Sequence, residues 1–312
     1  NNSKTTASVA IGYGARSNNF YSTAVGPQSI ANSAESTALG RSANVSGANA
    51  SSALAIGHDS RVIGYTTVNA TAIGRQSRIH HNATGAIAFG SSSNIYGDSS
   101  NSIAIGTNAN ISNQYRKISN VYAVVENATV LGSFSTASAN KGTAVGSNNT
   151  VIGASSGALG SDNTVGAYSS GIDTSTYNGT RSFVVGSNNT VTLANDTMVF
   201  GNNVAVTQAN RSGSVILGND SSVPDNVTAI NSAKVGNVTY AGFAGNLGGK
   251  TTDGTSAVAA DQGRFVSIGN STSPRQLKHV AAGRIANDST DAINGSQLYS
   301  LTGVVSNMGV SV

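Results

Sequence analysis

Residues 86–111 read AIAFGSSSNIYGDSSNSIAIGTNANI, and this stretch decides the fold. Two apolar triplets, Ile87-Ala88-Phe89 and Ile103-Ala104-Ile105, run into Gly90 and Gly106, and a branched residue follows each glycine by five places, Ile95 and Ile111. Apolar residues two apart have the period of a strand, and tracts rich in Gly, Asn and Ser oppose a helix. Each unit therefore predicts two short strands, one ending at the glycine and one following it.

The unit recurs along most of the chain. Its glycines are Gly12, Gly26, Gly40, Gly57, Gly74, Gly90, Gly106, Gly132, Gly146, Gly160, Gly186, Gly201 and Gly218, with gaps of mostly 14 to 17 residues and two of 26. All thirteen residues before these glycines are large and apolar, nine of the thirteen two places before are Ala, and ten of the thirteen five places after are β-branched. Such coils predict a parallel β-solenoid in which each strand pairs with its counterpart one coil later. At the strand spacing, thirteen coils make a rod of ~60 Å. Gly supplies the corner, and Asn and Ser suit the turns.

Alternation assigns the two faces of the first strand. The expectation is that Ile103 and Ile105 meet Ile111 inside, while Ser102, Ala104 and Gly106 face out. A small-residue outer face predicts lateral association of copies, since so thin a roll buries little by itself. The long gaps mark insertions at 107–128 and 167–181, which in solenoids project from one side and often carry binding.

Composition narrows the function. Gly, Asn and Ser number 37, 36 and 47 among 312 residues, charged residues are 10%, and there is no Cys. Thiol chemistry, disulfides and Cys-ligated metals are excluded. The net charge of +4 is scattered, which is no nucleic-acid footprint. No apolar run is long enough to span a bilayer as a helix. The chain starts Asn1-Asn2-Ser3 without a secretory signal and so reads as an intracellular protein or a piece of a longer one. His80 and His81 point to opposite sides of an extended segment and serve one metal poorly. No triad or paired-carboxylate spacing stands out, so neither enzyme chemistry nor a cofactor is expected. The candidate ligand contacts are Tyr115, Arg116, Lys117, Tyr122, Tyr168 and Tyr177 in the insertions, and Arg75, Arg78 and His80 in a local basic stretch that suits an acidic partner.

After Gly218 the repeat fades, and residues 219–274 read as a short-strand module rather than further coils. RQLKHVAAGRIANDSTDAINGSQL follows from Arg275, and Leu298, Leu301, Val305, Met308 and Val312 have coiled-coil spacing. Thirteen tandem glycine coils followed by this string resemble the YadA-like head and neck of trimeric autotransporter adhesins of Gram-negative bacteria.

The resemblance implies an all-β, left-handed parallel β-roll head forming a homotrimer on a coiled-coil stalk. Its division would be 1–218 head repeats, 219–274 a head insert, 275–297 the neck and 298–312 the start of the stalk. Arg275, Gln276, Gly283, Asp291, Asn294 and Gln297 would be neck residues that staple chains together. Segments such as Leu277–Val280 would form strands crossing between chains, and Arg275, Lys278, Arg284, Asp288 and Asp291 would pair between them. The implied function is non-enzymatic attachment at the bacterial surface to host cells, matrix or other bacteria, with collagen among the candidates because Asn101–Gly106 reads NSIAIG. Membrane contact would come only through an anchor outside this sequence. The alternatives are a polysaccharide-active β-helix enzyme and an ice- or mineral-binding solenoid. The latter needs an outward Thr ladder, and Thr23, Thr37, Thr71, Thr129 and Thr143 are expected to lie inside.

Overall fold

The computed structural model describes residues 7–112, 115–116, 121–122, 124–168, 177–224, 230–245 and 264–309. Two parallel sheets run the length of a solenoid, one of fourteen strands and one of twelve, with alternate strands of the chain assigned to each. Register is kept coil after coil: Ile87, Ala88 and Phe89 pair with Ile103, Ala104 and Ile105, and Ile95 pairs with Ile111. The N–H of Gly106 donates to the Phe89 carbonyl at 2.8 Å, and that of Ile103 to the Ala128 carbonyl at 2.9 Å.

Left-handed residues turn each coil. In the coil of Gly90 they are Ser92 (φ 55°), Asp98 (φ 55°) and Asn101 (φ 54°), and the series continues with Asn108, Asn148, Asp162, Asn188 and Asn203. Asn and Asp enter this region at less cost than other residues with a side chain, which accounts for much of the composition. The corner glycines have a stricter reason. Gly26 has φ 128°, and a Cβ there would lie 2.6 Å from the Gly40 carbonyl oxygen. Both the dihedral and the next coil's backbone demand Gly.

The core reverses the expected faces. Ala104 and Ile111 are fully buried, whereas Ile105 is 38% exposed and Phe89 is 50% exposed. The Ala column is the interior half of the first sheet, facing the branched column of the second, and the large residues before each glycine point outward. In most coils the gap between sheets holds a layer of branched side chains and an opposing layer of Ala, but at Gly26 Ala24 opposes Ala31, and at Gly186 and Gly201 Val184 and Val199 oppose Val191 and Val206, all buried. One coil shows the common arrangement inverted: at Gly132 the first sheet contributes Val130 and the second Ala137, both fully buried. The first-sheet threonines likewise lie outside; Thr23, Thr37, Thr71, Thr129 and Thr143 are half-buried on the outer face, interrupted by Leu54, Ile87 and Ile103.

Buried polar side chains are used by the backbone. Ser60, Ser77 and Ser93 donate at 2.9 Å to the carbonyls of Ala72, Ala88 and Ala104 in the next coil. In later coils Asn149, Asn163 and Asn189 replace Ser. Asn163 Nδ2 donates to Asn149 Oδ1 at 2.9 Å and to the Gly186 carbonyl at 2.7 Å, and Asn189 repeats the pattern on Asn163. These serines and asparagines are thus satisfied, as burial requires, whereas Thr67 Oγ1 and Ser214 Oγ are buried without a partner among the described residues.

The insertions are shorter than their gaps. Residues 107–112 stay in the rod, and Val125 is back in the core, its N–H bonded to the Asp98 carbonyl at 2.9 Å. Between them Tyr115–Arg116 pairs antiparallel with Val121–Tyr122. Likewise Ala167–Tyr168 pairs antiparallel with Tyr177–Asn178, and Gly179 accepts from buried Ser156 at 2.8 Å, so 179–181 belong to the rod.

The region after Gly218 is not solely a separate module. Ser232–Val235 and Val238–Ala241 form an exposed antiparallel hairpin, but Val266–Ser267 pairs in parallel with Val215 and Ile216 as the fourteenth strand of the first sheet. Phe265 and Val223 pack against the core end. Within one chain Leu277–Val280 carries no strand. A helix spans Gly295–Asn307.

Candidate functional site

Three surfaces remain once the rod has satisfied itself. The first is the outer face of the first sheet. Phe89, Ile105, Leu131, Val145 and Leu159 are consecutive partners in register, and Leu39, Phe89, Leu159 and Phe200 are 43%, 50%, 51% and 48% exposed. A second apolar column beside it includes Val9, Ile87, Phe183 and Met198, 37% to 47% exposed. A contiguous apolar face of this length exceeds what monomers ordinarily expose and marks an association surface. The Ala and Ser face expected to associate is interior, so the exposed face of the first sheet is the large-residue one.

The second surface lies on the outer side of the second sheet. Asn44, Arg61, Arg78, Asn94 and Asn110 stand in one register column. Asp59 receives Arg61 Nε at 2.7 Å and Arg78 Nη2 at 3.2 Å. Burial pushes the Asp59 carboxyl up, but the two guanidiniums more than offset this and hold it below the usual carboxylate range. Beside them His80 and Tyr96 stack in adjacent coils, centroids 5.0 Å apart and planes 2° from parallel. Burial, with neighbouring His81 and Arg78, depresses the His80 imidazole below its ordinary value of 6.5. The His81 ring lies over Gly97, where a Cβ would collide with it. Arg75 is exposed on the adjoining corner. Of the basic stretch read from sequence, Arg78 and His80 thus share one patch and Arg75 sits at its edge. Asp59, Arg61 and Tyr96 are the members missed. The available signal was their shared offset from the corner glycine, four places for both arginines and six for His80 and Tyr96.

The third surface comprises the two hairpins, both leaving the rod after a second-sheet strand. Each places a tyrosine pair in direct register, Tyr115 opposite Tyr122 and Tyr168 opposite Tyr177. Arg116 is opposite Val121; Lys117 lies outside the described residues.

The neck residues organise the end of one chain. Arg275 reaches back over Gly218, donating to the Asn219 carbonyl at 2.7 Å, and to Ser221 Oγ and the Ile268 carbonyl at 3.0 Å. Asn294 caps the helix, and Gln297 closes a reciprocal capping box. Gln297 also receives the Gly283 N–H at 3.0 Å and donates to the Gly283 carbonyl at 2.6 Å. Asp291 accepts the Arg284 N–H at 2.9 Å. Gln276 is exposed. Arg284 pairs with Asp288 at 2.9 Å inside one chain. On the helix Leu298, Leu301 and Met308 are 55%, 58% and 72% exposed, and Val312 lies outside the described residues. Among the described residues no helix is long and apolar enough to cross a membrane, and no cluster of metal-ligating side chains occurs.

The family model described as the YadA head domain repeat matches residues 6–29, 17–43 and 126–149, and that of the coiled stalk of trimeric autotransporter adhesin matches 276–311. The autotransporter adhesin BtaE of Brucella suis biovar 1 is 29% identical over 126 residues, 40% of this chain and 15% of the length of that adhesin. Among solved structures, the C-terminal YadA-like domain of a Burkholderia pseudomallei protein is 27% identical, with 47% of each chain covered and a TM-score of 0.27. The collagen-binding domain of the Yersinia adhesin YadA is 19% identical, with 95% of this chain and 97% of that one covered and a TM-score of 0.28.

Proposed function

We propose that this chain, a YadA-like trimeric autotransporter adhesin by its head repeats and stalk, is the attachment head of a homotrimer displayed on the bacterial outer surface. The observation that carries this reading is the outward column of large apolar residues before the corner glycines of the first sheet, which three copies would bury against one another. The exposed apolar stripe of the helix would be buried by the same association, continuing the trimer into its stalk. On this reading residues 1–218 are head repeats, to which Val266–Ser267 adds a rung; the remainder of 219–274 is an insert, 275–297 the neck and 298–312 the stalk start.

The head works by contact rather than catalysis. Weak contacts repeated on three chains of many fibres give avidity. The tyrosine-paired hairpins and the Arg75, Arg78 and His80 surface are the proposed contacts to host cells or matrix, collagen included. Attachment is tested by measuring binding of the purified trimer to matrix proteins and cultured cells, with each hairpin shortened in turn. Retained binding after both truncations would move the contact onto the coils. Sedimentation giving a monomer at micromolar concentration would overturn the assembly.

A further inference from the structure

The outer face of the second sheet carries a feature that a merely solvated face does not need. Over the coils of Gly57, Gly74 and Gly90 the chain carries three arginines (Arg61, Arg75, Arg78) against two carboxylates, Asp59 and Asp98, and two of the arginines share Asp59. Asp59 occupies Arg61 Nε and Nη2 and Arg78 Nη2. Among the described residues neither Nη1 makes a hydrogen bond or ion pair, and both side chains remain about two-fifths exposed, at 40% and 38%. The shared carboxylate lies between two forks one rung apart, takes up three of their donors and neutralises one of their two charges, so it competes with an incoming anion.

Next to the forks runs an aromatic track. Ile63, His80 and Tyr96 occupy the same position in consecutive coils, joined by the Ile63 N–H to Ile79 and His80 N–H to Ile95 bonds at 3.0 Å. The His80 ring is fixed by its stack on Tyr96, which is 41% exposed. In the preceding coils the same edge opens into a groove of about 500 Å³ lined by Asn32, Ser46, Gly47, Gly64 and Tyr65. Tyr65 is 71% exposed at its wall.

We propose that this groove and the arginine pair bind a segment of an acidic polysaccharide. Its carboxylate or sulfate groups sit on Arg61 and Arg78, and its sugar rings lie along Tyr65 and Tyr96. Flat aromatic faces flanked by amides and hydroxyls suit the apolar face and hydroxyl rim of a pyranose. Duplex nucleic acid fits poorly, because a net excess of one charge over three coils, about 10–15 Å, falls short of the six to ten phosphate contacts such binding uses. The surface is on the sheet opposite the apolar association face, so trimer formation and ligand binding do not compete for it. The proposal rests on the reading of the chain as an attachment head and names a partner class for it.

The experiment uses the full 312-residue protein immobilised against heparin, hyaluronan, neutral dextran and a 20-base-pair DNA duplex. The expected result is binding to heparin, hyaluronan or both, the two arms separating sulfate from carboxylate, with no binding to dextran. Arg61→Gln/Arg78→Gln should weaken it at least about tenfold, Tyr96→Ala about threefold even at high salt, and Asp59→Asn should tighten it. A gain of affinity in Asp59→Asn cannot come from misfolding, and melting curves check the other variants. Absence of binding to both acidic glycans, equal binding by all variants, or DNA binding as tight as glycan binding would each overturn the proposal. If the same protein still adheres to cells, the attachment reading survives that failure; if it adheres to nothing, both fall.

Discussion

The rod and the neck are built from similar small, polar residues but close their accounts differently. In the coil of Gly106 every layer is completed by the next coil of the same chain: Ala104 and Ile111 are buried and the corner carbonyl meets its neighbour. From Leu277 onward the chain holds itself by local bonds alone, the capping box of Asn294 and Gln297 and the Arg284–Asp288 pair, while its helix buries no residue. Repetition lets a thin rod stand on nearest-neighbour contacts, whereas a short helix without a repeat partner needs another chain.

Breaking the rod should have the largest effect. Gly106→Val places a side chain at φ 136° against the Gly132 carbonyl, and loss of the coil, several kcal/mol or more, is expected as a collapsed melting transition while neck helicity persists. Ile111→Ala should cost about 2–5 kcal/mol by denaturant titration, but Ile105→Ser, one face away, should leave that midpoint nearly unchanged and instead reduce the sedimenting mass. If Ile105→Ser unfolds the chain and Ile111→Ala does not, the faces are assigned the wrong way round. Asn163→Leu should cost about 1–3 kcal/mol, since it strands the backbone acceptor of Gly186 and the side chain of Asn189.

Smaller effects sharpen the neck and the patch. Gln297→Ala removes half of the capping box and the two bonds to Gly283. It should lower helix content by circular dichroism, at about 1 kcal/mol, without moving the rod transition. The His80 imidazole is depressed in the folded state, so folding favours its neutral form. That stability is complete above the unfolded value of 6.5 and is lost as pH falls toward the folded one. A slight drop in melting temperature between pH 7.5 and 5.5, absent from His80→Phe, is expected. An identical pH profile in that variant would assign the drop elsewhere.

Much of the solenoid was legible in the sequence. The glycine spacing, the apolar residue before it and the branched residue five places after determine coil number, strand pairing and the corners, because a repeating backbone admits few alternatives. The faces were not legible. Alternation says that Ile105 and Ala104 point to opposite sides, yet which side is inside depends on the width of the gap, and width belongs to the turns of the whole coil. The patch was half visible for the same reason: Arg75, Arg78 and His80 are near in sequence, but Asp59, Arg61 and Tyr96 join them only when coils of unequal length stack in register.

By itself, then, the sequence determined a stacked parallel architecture ending in a helix, since glycine corners and strand periodicity are local properties that each repeat expresses alone. Only the tertiary structure decided that Ala lines the interior, that the bulky column is left for another surface, and that Phe265-Val266-Ser267 returns after a hairpin to supply one more rung. Those outcomes turn on distances between layers and on which coil lies next to which, quantities that no single repeat contains.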